Sequence, residues 1–231
     1  MYGDVTHNFS ICIKGPKMRK TILAAFLAAP LFASAQNLIT NGSFEAPVIG
    51  ATTTYYVTGD TGLTDWTVSG NNVQLVNSQW TPNLSLTASN GSQWIDLTGG
   101  NEGFGKGITS NTFNTVIGQT YTLSFDVGTL AGRPNASVDY SINGTVNGTF
   151  TNVGANATGM KWATNTVTWV ANSTTSQVSF LGSSANASSS TLIGLDNVVV
   201  TAVPEPETLA MLLAGLGLIG AAVKRRKANR A

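Results

Sequence analysis

From Gln36 to Val203 the chain alternates apolar and polar residues in short runs separated by Gly, Asn, Ser and Thr. In the clearest run, Tyr121, Leu123, Phe125 and Val127 fall on one face and Thr122, Ser124 and Asp126 on the other. Because successive side chains of a strand point to opposite faces, this pattern predicts a half-buried strand. Ser137–Ile142 and Thr145–Thr151 flank Asn143-Gly144, two residues that tolerate positive φ and predict a tight hairpin. Thr164–Val170, Gln177–Leu181 and Ile193–Val200 continue the pattern; Leu38–Phe44, Trp66–Val68, Val73–Val76 and Trp94–Leu97 precede it. No stretch between these runs has the period of a long amphipathic helix. About ten short strands punctuated by turns predict an all-β fold, an antiparallel β-sandwich.

Two apolar runs do not alternate, and both lie near the chain ends. Met18-Arg19-Lys20, an apolar stretch from Ile22 to Phe32 and Ala33-Ser34-Ala35 before Gln36 form a secretory signal peptide, residues 18–35. Residues 1–17 then read as an N-terminal extension ahead of Met18, the expected true start. At the other end, Val-Pro-Glu-Pro-Glu precedes an uncharged run from Thr208 to Val223, followed by Lys224, Arg225, Arg226 and Lys227. As a helix at about 1.5 Å per residue, this run reaches roughly 24 Å, just enough to span a bilayer. The four cations would hold their end in the cytoplasm. Pro204 and Pro206 keep the junction extended and open to a protease. This order of parts resembles the PEP-CTERM sorting signal of Gram-negative bacteria that make extracellular polysaccharide. The resemblance implies recognition of Pro204, Glu205 and Pro206 by an exosortase, removal of residues 204–231, and a transient inner-membrane anchor on the way to the cell surface or beyond. Signal peptidase is the second expected processing partner.

Removal of the leader restricts the chemistry left to residues 36–203. Cys12 and His7 lie before Gln36, and the mature chain has neither residue type. A cysteine or histidine nucleophile, a Ser-His-Asp triad, a disulfide and a thiolate or imidazole zinc site are thereby excluded. Lys106, Arg133 and Lys161 face eight carboxylates in this domain, a net charge of −5. Nucleic acid is excluded as a partner, since phosphate neutralisation needs clustered cations.

Leu38-Ile-Thr-Asn-Gly-Ser-Phe-Glu45 at the start and Gly194-Leu-Asp-Asn-Val-Val-Val200 at the end of the domain resemble galactose-binding-like jelly rolls. That group includes many carbohydrate-binding modules and a plant cell-wall family of unknown function. Trp66-Thr-Val, Val73-Gln-Leu-Val, Trp80, Gly91–Gly99 and Ile117–Phe125, in that order, are similar to the bacterial choice-of-anchor C family. The resemblance implies a structural calcium ion held by Glu45 and Asp196 together with backbone carbonyls, a donor set of hard oxygens that suits that ion. Without the resemblance, Glu45 reads as a solvated acid after a strand and Asp196-Asn197 as a turn or bulge.

The same resemblance points to glycan binding, in which aromatic faces stack on pyranose rings while amides and carboxylates meet the hydroxyls. Trp66, Trp94 and Trp169 sit in apolar strand patterns and are expected in the core. Trp80, in a polar loop beside Pro82, and Trp162, beside Lys161, are the expected exposed binding rings, with Tyr55, Tyr56 and Tyr140 behind them. Asp60, Asp65, Asp96, Glu102, Asp126 and Asp139 offer pairs for carboxylate-dependent glycoside hydrolysis, but none stands in a catalytic motif. The expectation is an exported, non-catalytic surface or matrix protein that binds exopolysaccharide or another glycan, with a purely structural, glycosylated matrix protein as the alternative.

Overall fold

The computed structural model describes residues 36–100, 103–154, 158–183, 191–204 and 206–228. The first of two compact units, Met1–Phe32, lies outside them, so the description concerns the second, Ala33–Ala231. The N-terminal extension, the leader, Glu102 and Glu205 also fall outside the described residues.

Thirteen strands are described. A six-stranded antiparallel sheet has the order β1 (Thr53–Val57), β3 (Asn72–Asn77), β4 (Gln93–Asp96), β13 (Gly194–Ala202), β7 (Thr120–Leu130), β10 (Met160–Val170). A five-stranded sheet has the order β2 (Trp66–Ser69), β5 (Gly107–Ser110), β12 (Val178–Gly182), β8 (Ala136–Ile142), β9 (Thr145–Asn152). The short β6 (Phe113–Asn114) and β11 (Thr175–Ser176) pair separately. From β4 onward the chain crosses repeatedly from one sheet to the other, which gives the sandwich the wrapped course of a jelly roll. The Asn143-Gly144 hairpin forms as expected, with φ of 52° and 77° at its two central residues.

The inward face of each sheet supplies one continuous core. Phe44, Trp66, Ile95, Phe125, Phe180 and Leu195 are among its fully buried members. Phe125 stands at its centre, 4.9 Å from the ring of Phe180 and 5.5 Å from that of Tyr140. Each such side chain contributes about 1.5–3 kcal/mol by burial, so the alternation read from the sequence sets the packing of the two sheets.

One expectation is corrected here. Leu38–Phe44 is not a strand, because Asn41 and Phe44 adopt φ of 53° and 55°, which break extended pairing. The segment instead lies along β13: Asn37 Oδ1 accepts from the N–H of Ile39 and of Val200, Leu38 N–H donates to Val200 O, and Val198 N–H donates to Gly42 O. The C-terminal run is helical, α1 spanning Pro206–Ala228, and Pro206 takes the first position, where its missing N–H costs nothing. Yet among the described residues no helix is long and apolar enough to cross a membrane.

Candidate functional site

The outward face of the six-stranded sheet is not a plain solvated surface. Cross-strand registers put Gln74 beside Asp96, Val76 beside Trp94, Gly194 beside Asp96 and Gly128, Asp196 beside Asp126, and Trp162 beside Gly128. These residues share one face, opposite to Leu75, Ile95, Leu195 and Val127 of the core. The long β3–β4 connection, residues 78–92, folds over this face and closes a second apolar cluster of Val76, Leu86, Trp94 and Leu130, with Met160 and Trp162 packed against it.

Trp162, an expected binding ring, belongs to this packing, which corrects its assignment as an exposed side chain. It is half-buried, meets Trp94 edge-on at 5.8 Å and donates its indole N–H to Thr87 O at 2.9 Å. Its ring also covers two glycines. A Cβ at Gly128 would come within 2.7 Å of the Trp162 ring, and one at Gly194 within 2.8 Å. Beta strands rarely favour glycine; here the missing side chains make the seat for the indole.

Two carboxylates hold the covering connection down. Asp196 Oδ2 accepts the backbone N–H of Ser89 and of Asn90, each at 2.8 Å, and its Oδ1 accepts that of Asn197 at 2.7 Å. Its cross-strand neighbour Asp126 accepts Ser89 Oγ and Asn197 Nδ2 at Oδ2, and Thr164 Oγ at Oδ1. Asn197, at φ 51°, sits in a β-bulge between Asp196 and Val199, which resolves the turn-or-bulge alternative. Asp196 is fully buried, and this desolvation, together with nearby Asp126, pushes its carboxyl up to about 7 against the opposing amide hydrogen bonds. Farther along the same connection, Glu45 Oε1 accepts the N–H of Ser92 and Gln93 at 2.7 and 2.8 Å.

Glu45 and Asp196 therefore serve one loop, as acceptors for three of its backbone amides and for that of Gln93 at the start of β4. N–H groups point at Glu45 Oε1 and at both oxygens of Asp196, and a cation on those three atoms would face positive hydrogen atoms. Among the described residues no three acid, histidine or cysteine side chains gather where they could hold a metal ion. As these side chains stand, the pair does not fit a shared calcium site.

Beside the covered cluster the face opens into a groove of about 190 Å³. Trp80, 42 % exposed, forms one wall, Arg133 and Leu130 another, and Gln74, Asp96 and Thr98 face into it. Asp96 Oδ1 accepts both the N–H and the hydroxyl of Thr98, and burial raises its carboxyl above the usual range. Tyr55 stands at the rim: it pairs with Gln74 across β1 and β3, and its hydroxyl crowds Gly100, which lines the groove. Thus Trp80 is exposed as the sequence suggested, while Trp66 and Trp94 are buried. Trp169 is half-buried against the core and stacks on Tyr121 at 5.4 Å. Tyr56 and Tyr140 are buried. Sequence reasoning misses Gln74, which lies within an apolar run; a lone amide between Val73 and Leu75 is its only signal. Pro204 follows Val203, whose N–H donates to Thr120 O, just beyond the end of β13.

Among solved structures, the chain is similar to the carbohydrate-binding module TmCBM61 in complex with β-1,4-galactotriose, at 17 % identity and TM-score 0.46, covering 73 % of this chain and 100 % of that one. A family 4 carbohydrate-binding module gives 19 % identity and TM-score 0.37 over 71 % of this chain and 99 % of that one. An arabinose-bound α-L-arabinofuranosidase, MgGH51, gives 13 % and 0.47 over 73 % of this chain and 26 % of that one. No curated protein matches the chain. Residues 202–227 match the PEP-CTERM protein-sorting motif, in agreement with the sequence pattern of the tail. The choice-of-anchor C type expected from the order of motifs is not shown; residues 37–201 match DUF642, and the chain belongs to the DUF642 family of proteins of unknown function.

Proposed function

We propose that this protein is exported and sorted through its C-terminal signal, and that its sandwich binds a glycan without transforming it, in the groove beside Trp80. The observation that carries the reading is the pairing of a half-exposed indole with the amide of Gln74, the hydroxyl of Thr98 and the carboxylate of Asp96 in one shallow recess. An indole face suits the C–H face of a pyranose, and the three polar groups suit its hydroxyls. The groove is smaller than the roughly 300–1,000 Å³ of pockets that enclose drug-sized ligands. It takes one ring or one edge of a longer chain. Hydrolysis would require two carboxylates flanking a glycosidic bond, about 5–10 Å apart. Among the described lining residues Asp96 is the one carboxylate, and Asp126 and Asp196 are turned to hydrogen bonds beneath the loop.

In this reading α1 is a temporary anchor. Its sixteen uncharged residues match a thin bilayer only at the lower limit of spanning length, which suits a segment that a Pro-Glu-Pro-specific exosortase removes. The secreted protein then reaches the surface or the extracellular matrix.

Titration of the isolated domain with polysaccharide from the producing cell's own matrix tests the binding reading. Dissociation constants from millimolar to micromolar, about −4 to −8 kcal/mol, are expected. Trp80→Ala abolishes binding and leaves the melting midpoint nearly unchanged. Retention of binding in Trp80→Ala, or no binding by the intact domain, rejects the groove and leaves a structural matrix protein.

A further inference from the structure

We infer that the end of the sandwich from which the sorting tail leaves is a lipid-facing tip, seated on the membrane surface while the tail is attached. The inference rests on the anchor reading above and goes beyond it, because an anchor alone leaves the orientation of the domain open.

The tail is tied to the domain up to its last residue before the sorting motif. Val203 N–H donates to Thr120 O at 2.9 Å, and Gln119 Nε2 donates to Val203 O at 2.6 Å. Five Cα steps separate Val203 from Thr208, where the uncharged run begins, and at about 3.3–3.6 Å each they reach no more than about 17 Å. The headgroup region of one leaflet occupies about 5–8 Å of that distance. Whatever surrounds Val203 is held at the bilayer surface, without a flexible linker to lift it away.

The surroundings of Val203 suit that position. The turn that bears Gln119 also bears Val116 and Ile117, which are 66 % and 63 % exposed. Gln119 N–H closes the turn on Val116 O, Gly118 N–H donates to Ala171 O, and Ala171 N–H donates to Gln119 O. These bonds bring in Val170, 60 % exposed, at the end of β10 beside Thr120. Three branched apolar side chains are thus presented together, on a rigid, hydrogen-bonded turn. Water is an unfavourable neighbour for such a group, whereas the boundary between headgroups and acyl chains accepts it.

The polar residues at this end tell the same way. The segments 112–119, 141–148, 168–177 and 199–204 contain no charged residue; they are built of Asn, Gln, Ser, Thr, Gly, Pro and apolar side chains. Asp65 accepts from Asn111 Nδ2, just before the first of these segments. Bringing this end into a medium of lower dielectric constant therefore strips water from no charged side chain of these segments; the α-ammonium left near Gln36 by leader removal also lies at this end, since Leu38 pairs with Val200, and it can meet anionic headgroups, as the amides and hydroxyls can. Lys106, Arg133, Lys161, Asp126 and Asp196 lie on other parts of the fold.

The chain after leader removal contains no cysteine, so single labels are straightforward. Residues 36–231 are reconstituted into phosphatidylethanolamine–phosphatidylglycerol vesicles, with an environment-sensitive fluorophore on Ile117→Cys or, as a distant control, on Leu84→Cys. Insertion of the tail is read separately, from protection of Lys224–Lys227 against trypsin. With the tail inserted, the label at 117 emits at shorter wavelength and is quenched by spin-labelled lipid, and the label at 84 is not. The soluble form ending at Pro204 shows neither change. An inserted tail with a water-exposed label at 117 overturns this inference alone. A tail that remains accessible overturns the anchor reading and this inference with it. A shift at 117 that requires co-reconstituted exosortase assigns the tip to the protease and overturns the lipid assignment.

Discussion

Asp196→Asn isolates the energetic effect of the buried carboxylate that holds the 78–92 connection. Asp196 is fully buried beside Asp126, and its carboxyl is pushed up to about 7, while an unfolded aspartate titrates near 3.9. The folded state therefore binds the proton more tightly than the unfolded state. Stability contributed in this way is complete below about pH 4 and is lost as the pH rises through about 7. At 1.36 kcal/mol per unit the interval amounts to up to about 4 kcal/mol, nearly all of it between pH 4 and 7. For a domain of this size that corresponds to a fall of roughly 8–16 °C in melting midpoint. Asn keeps one acceptor for the amides of Ser89 and Asn90, loses the one that Oδ1 offers to Asn197 N–H, and does not titrate, so the variant has a flatter profile. Asp96 is also raised by burial and gives both proteins a residual slope of the same sign. Thermal melts of wild type and Asp196→Asn from pH 4 to 8 measure the difference, with the wild type losing more stability than the variant between pH 4 and 7. Parallel curves would refute the account of Asp196 as a strained, proton-holding latch.

Trp162→Ala destabilises the domain by about 3 kcal/mol, toward the lower end for truncation of a packed tryptophan, because it uncovers Gly128 and Gly194 and removes the contact with Trp94; urea unfolding measures it, and a change below about 0.5 kcal/mol would return Trp162 to the surface. Added calcium and added chelator give the same melting midpoint, since amide donors occupy the faces of Glu45 and Asp196; a calcium-dependent rise would mean that an ion displaces those amides, and for a ligand at a hundredfold excess over Kd it would reach about 2.7 kcal/mol. In a host with an exosortase, intact-mass measurement finds secreted protein that begins near Gln36 and ends near Pro204–Pro206. Pro204→Ala with Pro206→Ala keeps the chain in the inner membrane, and a released protein still carrying Thr208–Ala231 would contradict the sorting mechanism.

Alternation is legible in the sequence along the longer half-buried strands, and not at β1 or β5, which the pattern of runs misses. The runs at Tyr121–Val127, Ser137–Ile142 and Thr145–Thr151 all lie in strands, because one-sided burial leaves a period of two. Strands buried on both faces were less legible in extent, and Asn72–Asn77 is buried throughout because the 78–92 connection covers its outward side. That cover was invisible in the sequence: it depends on Asp196, Asp126 and Glu45 meeting backbone amides of residues distant in the chain, and amides carry no side-chain signature. For the same reason Glu45 and Asp196 were legible as important and misread in role. Trp80 declared itself through Pro82 and its polar loop. Trp162 did not declare its packing, because the glycines beneath it belong to β7 and β13.

The segment after Gln36 lies along β13, the last strand, through bonds such as Asn37 to Val200 that join residues 163 positions apart. A chain threaded outward from its N-terminus must therefore wait, open, until nearly the whole domain has emerged, and contacts this remote in sequence form slowly. Beyond β13 lies the sorting tail. In the anchor reading proposed above, completion of the fold coincides with arrival of the tail at the membrane, and the tether retains the chain at the bilayer during the interval in which it first becomes able to close. Severance of that tether then acts as a release step placed after maturation, and an early cut would shed chains whose opening and closing segments had not yet met.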